Sequence, residues 1–527
     1  MLTLTNPATE EVLATVEEDT PESIASKYEA ARLAQIKWAD QQYFERSNIV
    51  QKFRQLLEDN VDELAKTLSQ EMGKPVQQAK NEILGVQARI DFFLDQTATI
   101  MATETVFREE SETNVSLAET ASSDTDPEMQ AVSEEEESVD TNPELAAAPD
   151  TISPEGGYEP PTTQTDLQVP AELLVPPITH EERISYEPLG VVANISAWNY
   201  PYFVGANVFI PAILTGSSVL YKPSEFTTQT GQSIAKLWAE AGLPEGVFTT
   251  IVGGGAVGAA LLEQPVDAVF FTGSYPTGKK IAAAAAQHLI PVQLELGGKD
   301  PIYVRADVPV KDAATAVADG AFYNAGQSCC AVERIYVHSD IYDEFVENFV
   351  ETVKGFVVGD PLEEDTYIGP LARKEQIGVL EAQLADAKAK GAEVLVGGSA
   401  KEGTGYYFQP TVITNVDHSM DVMKEESFGP IIGIMKVDND DEAIEKMNDT
   451  TFGLTAGIYT KDQDAALGLL KRVNAGSAYW NCCDRISPML PWSGRGHSGL
   501  GSTLSHLGIR AFLKPKAWHL KNPFLDS

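Results

Sequence analysis

Cys329 and Cys330 stand side by side in the stretch FYNAGQSCCAVERIYVH. Neighbouring cysteines are poorly placed to ligate one metal together, and a disulfide between them is strained. Two readings remain: two small buried hydrophobes, or one nucleophile beside one packing residue. A nucleophilic thiol needs a base and a group that stabilises the charge it creates, and the chain holds a candidate for each. Glu295, in LELGGKD, is a carboxylate at the end of an apolar strand, just before two glycines. Apolar neighbours oppose its ionisation and suit it to general-base work near neutral pH. Asn199, in SAWNYPYF, is an amide between Trp198 and Tyr200. It reads as a fixed oxyanion donor held by bulky rings, or as a turn residue before Pro201.

A second set of residues has the chemistry of a nucleotide site. GGGAVG, from Gly253 to Gly258, fits G-x-G-x-x-G between a strand and a helix, although glycine-rich turns also arise for packing alone. FFTGSYPTG, with Gly273 and Ser274, repeats the pattern of strand, glycine turn and open helix N-terminus one unit later, which suits a phosphate-bearing ligand. YKPSE puts Lys222 and Glu225 at the carboxyl end of a strand. A carboxylate there accepts from ribose hydroxyls, or is a solvated loop charge. EESFGP taken alone reads as a charged helix end before a Gly-Pro turn.

These residues need a frame. A chain of 527 residues with 43% hydrophobic and 8% aromatic content is that of a globular protein of more than one domain. The apolar spacing at i, i+3, i+4 and i+7 predicts helices through most of Pro21 to Thr99. From ISYEPLGVVANIS onward, the apolar runs GVVANIS, SSVLYKPS, FTTIVGG, DAVFFTGS and VQLELGG alternate with the helical stretches QTGQSIAKLWAEAG, AVGAALLEQ and TGKKIAAAAAQHL. That alternation predicts a parallel sheet in a doubly wound α/β domain. A second cycle runs from the helix KDAATAVADGAFYNAG through RIYVH, YDEFVENFVETVKGF, EVLVGG, IIGIMKV and TAGIYT. The fold class is therefore α/β, with two such domains dividing near Gly297 and Gly298.

Between Arg108 and Arg183 no lysine or arginine occurs, and Glu, Asp, Ser, Thr and Pro dominate. Such a stretch buries too little to offset its ordering entropy, so residues from Glu109 to about Pro170 are expected to be a disordered insert. The net charge of −40 speaks against nucleic acid or anionic membrane as a partner. No apolar run has the ~18–20 residues of a membrane helix, and MLTLTNPATEEV lacks the features of a secretory signal. The four cysteines, at 329, 330, 482 and 483, are too few for a disulfide scaffold and lack zinc-site spacing. A reduced, cytoplasmic setting and no metal are expected.

The strings AWNYP, YKPSE, FFTGS, LELGGK, FYNAGQSC and EESFGP follow one another in this order, and together they resemble the aldehyde dehydrogenase superfamily over nearly all the chain outside the acidic insert. The resemblance implies oxidation of an aldehyde to its acid, with Cys329 as nucleophile, Glu295 as general base, and Asn199 with the Cys329 N–H as oxyanion donors. It implies a nicotinamide cofactor held by Trp198, Lys222, Glu225, Gly253, Gly258, Gly273, Ser274, Leu296, Glu426 and Phe428. It places Tyr200, Asn207, Ser328, Asn481 and Trp492 around the aldehyde. NAD is expected ahead of NADP, because a negative Glu225 opposes a 2′-phosphate. The implied domains are a Rossmann-like NAD-binding domain (1–108 and 183–297), the acidic insert (109–182) within an oligomerisation hairpin, a catalytic domain (298–497) and a C-terminal oligomerisation strand (498–527). Self-association as a dimer or tetramer follows from the same likeness. The insert is then a tether or bumper that limits assembly, or a tolerated surface insertion.

The chain departs from the family pattern in three places. Ala197 stands where proline is usual. LPWSGRGHSGLG replaces a PFGG-type signature, which puts Trp492 with Tyr200 and Trp480 in an aromatic mouth. Asn207 occupies the position where relatives acting on succinate semialdehyde often carry an arginine; with the acidic surface this disfavours an anionic aldehyde, unless Arg485 or Arg495 supplies the charge. A CoA-acylating enzyme is disfavoured by the presence of Glu295. A non-catalytic scaffold is disfavoured by the joint presence of Cys329, Glu295 and Asn199.

Overall fold

The computed structural model describes residues 1–110 and 178–522. Most of the acidic insert, and with it the expectation of disorder, lies outside the described residues. Its predicted edges are strand: Glu104–Glu110 on one side and Ile178–Pro188 on the other. The chain divides into two units. The larger consists of Met1–Thr103 and Ser185–Lys516; the smaller is formed by the described parts of Glu104–Ile184 and Ala517–Ser527.

In the larger unit two sheets carry the site. Among the described residues, the first has six strands in the order Gly499–Leu500, Val292–Glu295, Ala268–Thr272, Val191–Ile195, Ser218–Lys222 and Phe248–Thr250. All but the first strand pair in parallel. The chain runs outward from Val191–Ile195 first to one side and then to the other. This leaves a crevice at the carboxyl ends of the strands, where doubly wound folds bind their ligands. The strands Val191–Ile195 and Ser218–Lys222 are buried at every position, as sheets covered on both faces require. The second sheet begins five residues after Glu295 with the interior strand Asp300–Val304, flanked by Val332–His338 and Thr455–Tyr459. The carboxylate and thiol candidates therefore lie close to the passage from one sheet to the other.

The predicted N-terminal helices are present as Pro21–Ala39, Tyr43–Asp59, Val61–Met72 and Val76–Met101. They pack on Pro201–Thr215, a helix with a buried proline that periodicity does not reveal because it is apolar on nearly every side. Two boundaries differ from expectation. The helix toward the cysteines ends at Phe322 rather than Gly326, because Asn324 and Ala325 both take left-handed conformations with φ +54°. The predicted C-terminal segment from 498 is divided: Gly499–Leu500 pairs with the strand of Glu295 and Ser505–Arg510 is a helix, so that only Leu513–Lys521 is a strand of the three-stranded sheet. That sheet orders Leu513–Lys521, Ile178–Pro188 and Glu104–Glu110 side by side.

Candidate active site

Two cavities approach each other in the larger unit, one of about 450 Å³ and one of about 620 Å³. Asn199, Thr272, Glu295 and Cys329 line both. The three residues with candidate chemistry are thus brought together from three separate elements, at the junction of two spaces.

The loop before Cys329 is locked by its own motif. Gln327 accepts from the Ala372 N–H at 2.9 Å and donates to the Asn324 carbonyl at 3.2 Å. The Asn324 N–H in turn donates to Gln78 at 2.9 Å. Asn324 and Asn199 each donate a side-chain N–H to the Gln327 carbonyl, at 3.1 Å. The amide of Asn199 is therefore tied to the cysteine loop itself. Its backbone carbonyl is held by Lys74 at 2.7 Å, a buried lysine paired with Glu82. Cys330 differs from its neighbour: it is 3% exposed and its thiol donates to Asp484 at 3.0 Å. Its contact with Cys329 and its burial, followed by the charge of Asp484, push its pKa well up, so it stays a thiol.

Glu295 is fully enclosed, with one carboxylate oxygen accepting from Gln293 at 2.6 Å and from Thr503 at 3.4 Å. Its other oxygen has no partner among the described residues. Burial pushes its pKa well above the ordinary carboxylate range, and the two hydrogen bonds oppose that only in part.

The larger cavity gathers most of the predicted cofactor residues: Trp198, Lys222, Glu225, Gly258, Gly273, Ser274, Leu296, Glu426 and Phe428. These sit at the carboxyl ends of the first sheet's strands or on the segment facing them. Ser274 precedes the helix Tyr275–His288, whose first turn receives no side-chain cap, leaving N–H groups for an anion. Lys222 lies 3.8 Å from Glu225. A Cβ at Gly297 would stand 2.3 Å from both Glu426 carboxylate oxygens, so only glycine admits that side chain. The segment of Glu426 and Phe428 is held by Glu333, which accepts from the N–H groups of Ser427 and Phe428 at 2.9 Å and pairs with buried Lys299 at 2.6 Å. Burial, then the charge of Glu333, pushes the Glu426 carboxyl up to about 8. Phe428 meets Trp198 edge-on at 5.4 Å. The donors, acceptors and glycines of this cavity fit a dinucleotide.

Two predicted residues lie elsewhere. Gly253 does not line the cavity. Its φ of +149° and the nearness of Val257 make it a packing glycine, and Glu18 takes the N–H of Gly254 at 3.1 Å, so that part of the GGGAVG turn is already occupied by a carboxylate. Asn481 does not line the smaller cavity; it brackets Thr460, accepting from its N–H and donating to its carbonyl at 2.9 Å. Trp480 also leaves the expected aromatic mouth, donating to that same carbonyl at 2.9 Å. Tyr200, Asn207, Ser328 and Trp492 do line the smaller cavity, as does Arg485, whereas Arg495 does not.

Sequence reasoning missed the polar face of the helix Val76–Met101. Gln78, Glu82, Gly85 and Arg89 recur at helical spacing and all line the smaller cavity. The available signal was a run of polar and small residues at the period where a packed helix should be apolar.

A thiol, a buried carboxylate and a fixed amide beside a dinucleotide-sized crevice define a nicotinamide-dependent oxidoreductase that works through a covalent thiol adduct. The family model for the Aldehyde dehydrogenase family matches residues 1–121 and 163–518. The chloroplastic betaine aldehyde dehydrogenase of Amaranthus hypochondriacus is 31% identical over 520 residues, covering 97% of this chain and 91% of that protein. An NADP dependent enzyme of E. coli superposes with a TM-score of 0.83 at 28% identity, over 99% of this chain and 95% of the other. The betaine aldehyde dehydrogenase of Staphylococcus aureus in complex with NAD+ does so with a TM-score of 0.82 at 28% identity, over 99% and 92%. The chain belongs to the aldehyde dehydrogenase family, and it is an enzyme that oxidises aldehydes with a nicotinamide cofactor.

The enclosure of Glu295 has a cost that can be measured. The folded protein retains its proton at a pH where the unfolded chain has released it, so stability is greatest below the ordinary carboxylate pKa and falls as pH rises toward the folded value. Glu295→Gln removes that dependence. Its urea unfolding midpoint should exceed the wild type's by a larger margin at pH 8 than at pH 5; equal margins would show that Glu295 is ordinarily solvated.

Proposed function

We propose that this enzyme is an NAD-dependent, non-acylating aldehyde dehydrogenase in which Cys329 attacks a small aldehyde entering through the 450 Å³ cavity. The meeting of the two cavities at Cys329, Glu295 and Asn199 carries the reading, because it gives the thiol access to an aldehyde from one side and a cofactor from the other. Attack on the carbonyl carbon makes a thiohemiacetal at Sγ. The oxyanion is met by the free Asn199 amide hydrogen and the Cys329 N–H, each donor contributing about 3 kcal/mol in comparable sites. A nicotinamide in the larger cavity would supply the hydride acceptor; with hydride lost from the former aldehyde carbon, Cys329 carries a thioester. Glu295 uses its unpartnered oxygen to take a proton from water, which attacks the thioester, expels the Cys329 thiolate and yields the acid.

Trp198, Lys222, Glu225, Ser274, Glu426 and Phe428 would hold the cofactor, in the cavity that Cys329 also lines. Glu225 opposes a 2′-phosphate by like charge, which favours NAD. The same family likeness supports self-association as a dimer or tetramer. The strand Glu104–Glu110 supports a role of the three-stranded sheet in it, since Val106 and Phe107 are 63% and 46% exposed there. Four unpaired cysteines support residence in a thiol-reducing compartment such as the cytoplasm.

Three measurements test this reading. Reduction of NAD by a panel of aldehydes should fall on the order of 10⁴-fold in Cys329→Ala but persist in Cys330→Ala; the reverse order would move the nucleophile to Cys330. The ratio of kcat/KM for NAD over NADP should be at least ~10, and Glu225→Ala should lower it; an unchanged ratio would remove Glu225 from that discrimination. In sedimentation experiments, Val106→Glu with Phe107→Glu should yield monomers, whereas an unchanged mass would place the interface elsewhere.

A further inference from the structure

Arg89 lines the substrate cavity and is 4% exposed. Its Nε and Nη1 are buried and have no hydrogen-bond partner among the described residues. A buried guanidinium is normally paired, because its desolvation is otherwise uncompensated. Of the four carboxylates along this cavity, Glu295 belongs to the catalytic set, and the other three accept from other donors. Glu82 pairs with Lys74 and accepts from the N–H groups of Tyr202 and Phe203 at 2.9 and 3.4 Å. Asp319 accepts from the Tyr367 hydroxyl at 2.6 Å, and Asp484 from the Cys330 thiol and the Ser328 hydroxyl at 3.0 and 3.2 Å.

The side chain is also held in place. The Arg89 guanidinium lies 3.6 Å from the centroid of the Phe203 ring, which stacks on Tyr200 at 5.9 Å, and the Lys74 ammonium covers Tyr200 at 3.7 Å. Gly85, one turn before Arg89, makes room for this: a Cβ there would come within 2.8 Å of the Phe203 ring. A glycine inside a helix is destabilising relative to alanine, and here it admits the ring on which the guanidinium rests. Stacking fixes the guanidinium plane while leaving its edge N–H groups open to an acceptor. Burial pulls its pKa down to about 10, with Glu82 opposing, so the group is charged at neutral pH.

We propose that Arg89 binds the carboxylate at the far end of a short ω-oxo acid, making a semialdehyde the preferred substrate of this enzyme. The proposal rests on the reading of Cys329 as the nucleophile, and it adds the charge of the substrate. Arg89 takes the part that Asn207 cannot, from a different helix. A carboxylate supplies the acceptor that these unpartnered donors lack. Betaine aldehyde, for which the amaranth relative is named, is a cation and would meet Arg89 with like charge. The acidic surface slows the approach of an anion, an effect that salt screens, whereas the buried contact is screened much less.

The test compares succinate semialdehyde with butanal and 4-aminobutanal, aldehydes of the same chain length with anionic, neutral and cationic ends. Wild-type kcat/KM should favour the acid over butanal by at least ~30-fold, as expected for a charge-assisted hydrogen bond. In Arg89→Met that preference should fall toward unity, chiefly through KM, and Arg89→Lys should restore part of it. Succinate, which carries no aldehyde, should raise the melting temperature of the wild type and of Arg89→Lys but not of Arg89→Met, which reads the contact without turnover. A preference that survives in both Arg89→Met and Arg89→Gln, or a wild type that favours butanal or 4-aminobutanal, overturns the proposal while leaving the catalytic reading intact. An Arg89-dependent succinate shift without turnover of any aldehyde upholds the carboxylate site and removes the catalytic reading instead.

Discussion

A buried lysine and glutamate, Lys74 and Glu82, hold the substrate side of this active site in place. The pair is fully enclosed, and a pair so deep rarely contributes much net stability, because desolvation consumes most of the attraction. Its work is positional. The carboxylate takes the first N–H groups of the helix Pro201–Thr215, and the ammonium takes the carbonyl of Asn199 and covers the ring of Tyr200. One ion pair thereby fixes the oxyanion amide, the aromatic wall of the cavity and the start of the helix behind it. The cofactor side repeats the device with Lys299 and Glu333, whose carboxylate holds the N–H groups of Ser427 and Phe428. In both cases a carboxylate caps open backbone donors, and a lysine neutralises the carboxylate where water cannot reach.

This arrangement explains which parts of the site were legible in the sequence. Short strings around Asn199, Lys222, Glu295 and Cys329 carry their own turn chemistry, and that chemistry is local. The left-handed Asn324 and the doubly bonded Gln327 explain why FYNAGQSC has its composition. The residues that hold those strings are distant in sequence and were not legible. Lys74 and Glu82 lie more than 100 positions before Asn199, the first just ahead of a helix read only as amphipathic and the second on it. Gly253 misled because a glycine turn has the same composition whether it cradles a phosphate or packs against a valine. Asn481 misled because a likeness in sequence says nothing of which way the residue after a strand end faces. The parallel sheets were legible from their apolar runs, whereas the helix Pro201–Thr215 was not, since a helix buried on all sides loses its period.

Glu295 and Cys330 show the same low-dielectric interior used in opposite ways. At Glu295, enclosure raises the proton affinity of a carboxylate that retains one unpartnered oxygen, and a base of that kind can take a proton from water near neutral pH. At Cys330, enclosure and the adjoining Asp484 raise the proton affinity of a thiol that already has an acceptor, so the thiol is held protonated and unreactive. Two neighbouring cysteines therefore differ in chemistry because only one has its thiol committed to a carboxylate.

The position of Asp484 then bears on selectivity as well as on reactivity. It sits at the side of the cavity formed by Ser328 and Cys330, with a left-handed backbone at φ +48° that turns the chain there. One of its oxygens accepts from both of those groups, so that side of the cavity carries a carboxylate, whereas Arg89, set on the helix Val76–Met101, has donors to spare. A substrate lying between them meets an acidic wall on one side and, on the other, a guanidinium that lacks an acceptor. Orientation then follows from this asymmetry: the group that carries negative charge turns toward the helix Val76–Met101, and the carbonyl is left to Cys329 and the amide of Asn199.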